Sequence, residues 1–172
     1  MTTIPTIELN DGTNCPLLGL GTYGSDSGDR EKVSQAVYDA IVAGYRHIDT
    51  AYIYEVEDKV GEGIKKAIDE GIVKREDLFI VTKIWSTKLR PEKVAEQTQE
   101  SLKALGLDYV DLMLVHWPIA LKDIPNEGVT GIAKWFPLNE DGTPAEDNEV
   151  SPTIDCHNIY STFSVLTARY YD

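Results

Sequence analysis

Four short apolar runs alternate with three helical stretches between residues 18 and 116, and this order restricts the chain to a few folds. The runs are Leu18-Gly19-Leu20-Gly21-Thr22, Tyr45 to Asp49, Asp77 to Lys83 and Tyr109 to His116. In the first gap Val33, Ala36, Val37, Ala40 and Ile41 repeat at helical spacing, with Ser27 or Asp29 as a cap and Gly44 as a stop. A second helix is predicted from about Glu57 to Glu70, with Val60, Ile64, Ala67 and Ile68 on one face and Gly71 behind it. Pro91 opens a third, which stops near Gly106 and turns Val94, Leu102 and Leu105 inward. Strands separated by single helices imply right-handed crossovers and a parallel sheet. Leu78-Phe79-Ile80-Val81 has no polar alternation, so that strand is expected to be buried on both faces. Upstream, Thr6 to Leu18 reads as a β-hairpin turning at Asn10-Asp11-Gly12.

After Pro118 the pattern stops. Residues 119–153 are expected to form a long acidic loop, rich in Gly and Pro, in which residues 139–150 carry Glu140, Asp141, Glu146, Asp147 and Glu149 and no Lys or Arg. Ile154 to Asp172 has no clean period, and neither helix nor strand can be assigned there. The 172 residues suffice for one domain with a real core. Mean hydropathy is −0.26 and no run of about eighteen apolar residues occurs, so no membrane span is expected. Neither a secretory signal nor metal-ligand spacing around Cys15 and Cys156 is evident, which makes a reducing cytoplasm the expected location and leaves no metal site. The net charge of −13 argues against nucleic acid as a partner. It also opposes a phosphate-bearing cofactor, whose site would have to be built locally from helix N-termini or a few basic side chains.

Polar side chains stand where three of these runs end. They are Asp49, Lys83 and His116, and Tyr54 follows the first of them by five residues. In a parallel α/β barrel the C-terminal strand ends share one face, and that face carries the chemistry. An acid, a phenol, an amine and an imidazole gathered there would make a proton-delivery site. Each residue taken singly has a plainer reading: a cap, a packed rim residue, a solvated charge and a core histidine. Type, spacing and strand-end placement together favour the functional one. Tyr52 is a second phenol, and spacing alone does not choose between it and Tyr54. His47 and His157 read as structural or exposed, and Trp135 and Phe136 as anchors of the loop.

The segments Gly19-Leu20-Gly21-Thr22-Tyr23, Gly44-Tyr45-Arg46-His47-Ile48-Asp49-Thr50-Ala51 with Tyr54, Thr82-Lys83-Ile84-Trp85, Ser101 to Leu112 and His116-Trp117-Pro118, in this order, resemble the aldo-keto reductases. The resemblance runs from about Ile7 to about Pro144, and in style it is similar to the fungal glycerol dehydrogenase and aldose (xylose) reductase branch. It implies an α/β fold of the (β/α)8 TIM-barrel type, here an N-terminal hairpin plus about four βα units. Residues 1–172 would then be one oxidoreductase domain, incomplete at its C-terminus, since this branch has roughly twice the length. The implied activity is NADPH-dependent reduction of aldehydes, ketones or aldoses to alcohols. Tyr54 would be the proton donor, and an ammonium beside a phenol stabilises the phenolate, a part that falls to Lys83. Asp49 would orient Lys83, and His116 would donate a hydrogen bond to the carbonyl oxygen. Gly21, Thr22, Tyr23 and Asp49 would meet the cofactor, NADP(H). Tyr23, Trp85, His116 and Trp117 would meet the substrate, a small carbonyl compound. Tyr23 stands where the family often has Trp.

Two other readings compete. Gly19-Leu20-Gly21-Thr22-Tyr23-Gly24 fits the G-x-G-x-x-G dinucleotide fingerprint of a doubly wound sheet, with Asp49 as the ribose-binding acid. That fold leaves Tyr54, Lys83 and His116 without a purpose. Alternatively the chain is an inactive half-barrel or a binding module that self-associates through open sheet edges.

Overall fold

In a computed structural model of the chain, residues 4–24, 30–124 and 128–150 are described. The proposed caps Ser27 and Asp29, His157, Cys156 and the stretch from Ile154 onward lie outside them. The hairpin forms from β1 (Thr6–Glu8) and β2 (Asn14–Pro16), which pair antiparallel with Ile7 opposite Cys15. Asp11 closes its turn by accepting the Thr13 N–H at 2.8 Å. There follow β3 (Gly19–Gly21), α1 (Arg30–Val42), β4 (His47–Asp49), α2 (Glu57–Asp69), β5 (Phe79–Ile84), α3 (Pro91–Leu105) and β6 (Leu112–Val115). Short 3₁₀ turns cover Tyr52–Tyr54, Arg75–Asp77, Ser86–Lys88 and Gly131–Trp135.

The second sheet runs β3-β4-β5-β6, in strict chain order. Gly21, Asp49 and Val81 share one register across the parallel pairs β3·β4 and β4·β5. The Asp111 N–H reaches the Ile80 carbonyl and the His116 N–H the Ile84 carbonyl, both at 2.9 Å. These bonds advance in the same direction along both strands, which is parallel pairing. This order decides against the doubly wound alternative. There the strand before the glycine motif lies inside the sheet at a reversal of strand order, whereas among the described residues β3 lies at the edge and the order does not reverse.

Each helix ends as its glycine requires. Gly44 (φ 105°) and Gly71 (φ 71°) adopt the left-handed conformation. Behind α1 the Gly44 N–H bonds the Ile41 carbonyl and the Tyr45 N–H bonds that of Ala40; behind α2, Gly71 and Ile72 bond Ile68 and Ala67 in the same way. Both are Schellman closures, and they satisfy carbonyls the helix itself leaves open.

The described residues divide between two compact units, Met1–Thr82 with Ser101–Met113 and Lys83–Glu100 with Leu114–Asp172. In the first, Val37 and Ile41 of α1, Ile48 of β4, Val60 and Ile64 of α2 and Ile80 of β5 are fully buried. In the second, Ile84, Trp85, Leu89 and Val94 are buried together with Ala120, Leu121 and Ala145.

One expectation needs correction. The strands are shorter than the apolar runs. Arg75 takes the carbonyls of Leu78 and Tyr109 and pairs with Asp111 at 2.8 Å, while Asp77 accepts the Lys74 N–H. Those backbone groups therefore serve a turn and an ion pair rather than the ladder. The described part of the segment after Pro118 makes backbone contacts of its own. Leu121 bridges Glu146, Leu138 bridges Pro144, and the Leu121 N–H bonds the Ser86 carbonyl at 2.9 Å. Two of its acids have a partner far upstream: Arg90 pairs with Asp147 and Glu149, each at 2.8 Å. These carboxylates hold the Arg90 guanidinium above its usual pKa, through the hydrogen bond to Glu149 first and that to Asp147 second.

Candidate active site

In the first unit Asp49 closes β4 and is half-buried. Its carbonyl accepts both the Thr22 N–H and the Thr22 hydroxyl, each at 3.0 Å, which pins the segment after β3 to the end of β4. Thr22 is itself buried. A Cβ added at Gly21 or Gly24 would meet nothing within 4 Å, so the backbone on either side of Thr22 and Tyr23 faces open space. Tyr54 ends the 3₁₀ turn that follows β4, and Ile53 beneath it is buried. The half-buried Tyr54 ring lies on Tyr23, centroids 5.0 Å apart and planes tilted by 57°. Tyr23 is 57% exposed, so the pair presents an aromatic surface to solvent.

The residue after Tyr54 is under backbone strain. Glu55 has φ 54° and ψ 31°, the only positive φ at a non-glycine residue among those described. An L side chain there costs about 1–2 kcal/mol. Glu55→Val adds a branched Cβ to that conformation and should lower the unfolding free energy by about a further 1–2 kcal/mol, whereas Glu55→Gly should leave it unchanged or raise it. Chemical denaturation of both variants checks this order.

In the second unit Lys83 is the penultimate residue of β5 and is half-buried. Its carbonyl accepts from the Gln97 side-chain amide at 3.1 Å, and the Gln97 amide oxygen accepts the Trp85 N–H at 3.0 Å. Gln97 is fully buried. It therefore braces the backbone on both sides of Ile84, at the end of the strand that carries Lys83. The sequence reading passed over this residue. Its signal was a lone amide on the inward face of α3, three residues after Val94 and four before the buried Ser101.

His116 follows β6 directly, and its ring stands edge-on to Trp85, centroids 5.4 Å apart. Trp85 also packs on Trp117 and Phe136, at 5.2 Å each, and donates its indole N–H to the Trp135 carbonyl at 2.9 Å. Trp85 has no exposed surface and packs against both His116 and Trp117. Trp117 is 43% exposed and offers an apolar face. Trp135 and Phe136 fasten their loop to Trp85, the part read for them in the sequence. His47 is structural, its Nδ1 2.8 Å from the Pro16 carbonyl and its ring edge-on to Phe79.

Asp49 and Tyr54 thus lie in one unit and Lys83 and His116 in the other, each at or just beyond the C-terminal end of its strand. The profile of the aldo/keto reductase family matches residues 17–155. The chain belongs to that family. Among solved structures, the Bombyx mori aldo-keto reductase AKR2E4 in complex with NADP aligns with a TM-score of 0.69 and 46% identity, covering 78% of this chain and 45% of its own. The aldose reductase of Schistosoma japonicum aligns at 0.77 and 36% identity, covering 94% and 48%. Among curated relatives, AKR2E4 is 53% identical over 121 residues, 69% of this chain and 39% of that relative. Dihydrodiol dehydrogenase 3 of Bos taurus is 44% identical over 142 residues, 83% of this chain and 42% of its own length. The chain spans about two fifths of the length of these curated relatives. The neighbours are aldo-keto reductase (β/α)8 barrels, and the hairpin and four sheet strands form part of such a barrel. These relatives are animal proteins, so the fungal placement rests on the resemblance alone.

Proposed function

We propose that this chain reduces aldehydes, ketones or aldoses to alcohols with NADPH, and that Tyr54 supplies the proton. The observation that carries this reading is the placement of Tyr54: held in a strained turn after β4, its ring against Tyr23, in a chain of the aldo/keto reductase family. The open backbone at Gly21 and Gly24, beside the half-buried Asp49, has room for a cofactor, and a related structure contains NADP. Gly21, Thr22, Tyr23 and Asp49 would hold it. When bound, its nicotinamide supplies the hydride that a carbonyl carbon needs.

The protein's own part concerns the oxygen. Negative charge grows on the carbonyl oxygen as the carbon is reduced, and a donor placed there in advance lowers the barrier. The Tyr54 hydroxyl gives that oxygen its proton. The His116 imidazole donates a hydrogen bond to the same oxygen and sets its direction. Lys83 stabilises the phenolate left on Tyr54, and Asp49 balances the lysine's charge. Tyr23 and Trp117, both exposed aromatics, supply apolar surface for the substrate and exclude water from the reacting bond.

The same proposal includes two lesser elements. A cytoplasmic setting rests on the two cysteines and their lack of ligand spacing; no helix among the described residues is long and apolar enough to cross a membrane. Self-association would use β3 and β6, the two edge strands, whose outer backbone groups can pair with another strand. Size-exclusion chromatography with NADPH titration tests the proposal. A monodisperse species that shows saturable quenching of NADPH fluorescence is expected, and soluble aggregate without binding would contradict it.

A further inference from the structure

Glu57 is the first residue of α2 and is 5% exposed, an unusual place for a carboxylate. Its Oε1 accepts the hydroxyl of Thr82, which is fully buried, at 2.6 Å. Val56, which precedes the helix, makes no side-chain capping bond, and Glu57 is the first acidic residue at the helix's positive end. The chain between Tyr54 and Glu57 is short and strained at Glu55. Such a conformation persists only where its surroundings over-determine it. The backbone supplies two restraints on the near side, from the Tyr54 N–H to the Ala51 carbonyl at 3.0 Å and from the Thr50 N–H to the Val81 carbonyl at 2.9 Å. On the far side the Glu57–Thr82 bond ties the start of α2 to β5, one register step beyond Val81. The turn bearing Tyr54 is therefore fixed to β5 at both ends, at Val81 and at Thr82.

We infer that Glu57 is a positioning residue for the proton donor: by its hydrogen bond to Thr82 it holds the 52–57 turn so that the Tyr54 hydroxyl stands at a fixed height above the sheet. This rests on the reading of Tyr54 as the donor. A misplacement of about 1 Å can cost a reaction on the order of 100-fold. Thr82 immediately precedes Lys83, so the same bond fixes the strand at the point where the lysine begins.

The test uses Thr82→Val and Thr82→Ser in the full chain. Valine keeps the shape and removes the donor; serine restores the hydroxyl. Hydrogen exchange of the amides of residues 53–57 should quicken about tenfold in Thr82→Val and return to the wild-type rate in Thr82→Ser. Turnover of glyceraldehyde should fall about 10- to 100-fold in kcat in Thr82→Val, with NADPH affinity unchanged, and recover in Thr82→Ser. Unchanged exchange in Thr82→Val would overturn the inference while leaving the reductase reading intact. Faster exchange with unchanged kcat would also overturn it, because the bond would then be structural only. A folded wild-type chain with no turnover would overturn the reductase reading and this inference with it.

Discussion

Tyr54→Phe should reduce the rate of NADPH-dependent glyceraldehyde reduction by about 10²–10⁴-fold, the range spanned by the loss of one positioned proton donor. The substitution deletes a single oxygen. The ring remains, and with it the 5.0 Å packing against Tyr23 that fixes its place after β4. Ile53 stays buried and the 3₁₀ turn keeps its backbone bonds, so the unfolding midpoint should move little. Binding of NADPH should persist, because the phenol is assigned to the carbonyl oxygen and not to the cofactor. Tyr52→Phe is the control that matters, since the two phenols lie in the same turn and their spacing did not separate them. It should retain activity. Undiminished turnover in Tyr54→Phe, or its loss in Tyr52→Phe alone, would move the proton donor elsewhere.

Gly61→Ala should destabilise the fold by about 2–3 kcal/mol, although helix propensity points the other way. Gly61 lies within α2, where exchanging glycine for alanine ordinarily gains about 1 kcal/mol. Here a Cβ would collide with the carbonyl oxygen of Leu105 and lie 2.7 Å from its carbon. The obstacle is backbone at the end of α3, which cannot rotate aside as a side chain would. Overpacking of this kind typically costs 1–3 kcal/mol, and the rigid partner puts this site at the upper end. Gly63 repeats the case against α1, where a Cβ would strike the Ser34 carbonyl and approach the Val37 Cβ to 2.9 Å. Both glycines let α2 approach its neighbours at backbone distance. Denaturant unfolding with an unchanged m-value measures the loss. A neutral or stabilised Gly61→Ala would mean that the helices do not pack this closely.

How much of this was legible in the sequence depends on the range of the interaction that decides each element. Helices α1, α2 and α3 were readable because apolar spacing and a following glycine act locally, within a turn or two. The burial of β5 was readable from Leu78-Phe79-Ile80-Val81 for the same reason. Strand ends were not, because Arg75 draws carbonyls from Leu78 and from Tyr109, thirty-four residues away. The pairing of an acid after Pro118 was hidden likewise, because Arg90, the partner of Asp147, lies fifty-seven residues upstream. At the candidate site, the types of Asp49, Tyr54, Lys83 and His116 showed in the sequence, and the structure places each at or past a strand end. Trp85 reads as a pocket wall because an indole near a strand end suits that part, and its ring contacts with His116, Trp117 and Phe136 were beyond the reach of local pattern. Gln97 went unread because its inward position on α3 signals burial but not which strand backbone its amide braces. The glycine fingerprint at Gly19 to Gly24 misled in the opposite sense, since the motif constrains local backbone but says nothing of strand order.

The most direct measurement is the stoichiometry of the proposed glyceraldehyde reduction with the purified 172-residue chain. With glyceraldehyde and NADPH, one glycerol should form for each NADPH consumed, at a rate proportional to protein concentration and lost in Tyr54→Phe. A folded chain that binds NADPH yet forms no glycerol, or that turns over equally well without the Tyr54 hydroxyl, would contradict the proposed mechanism.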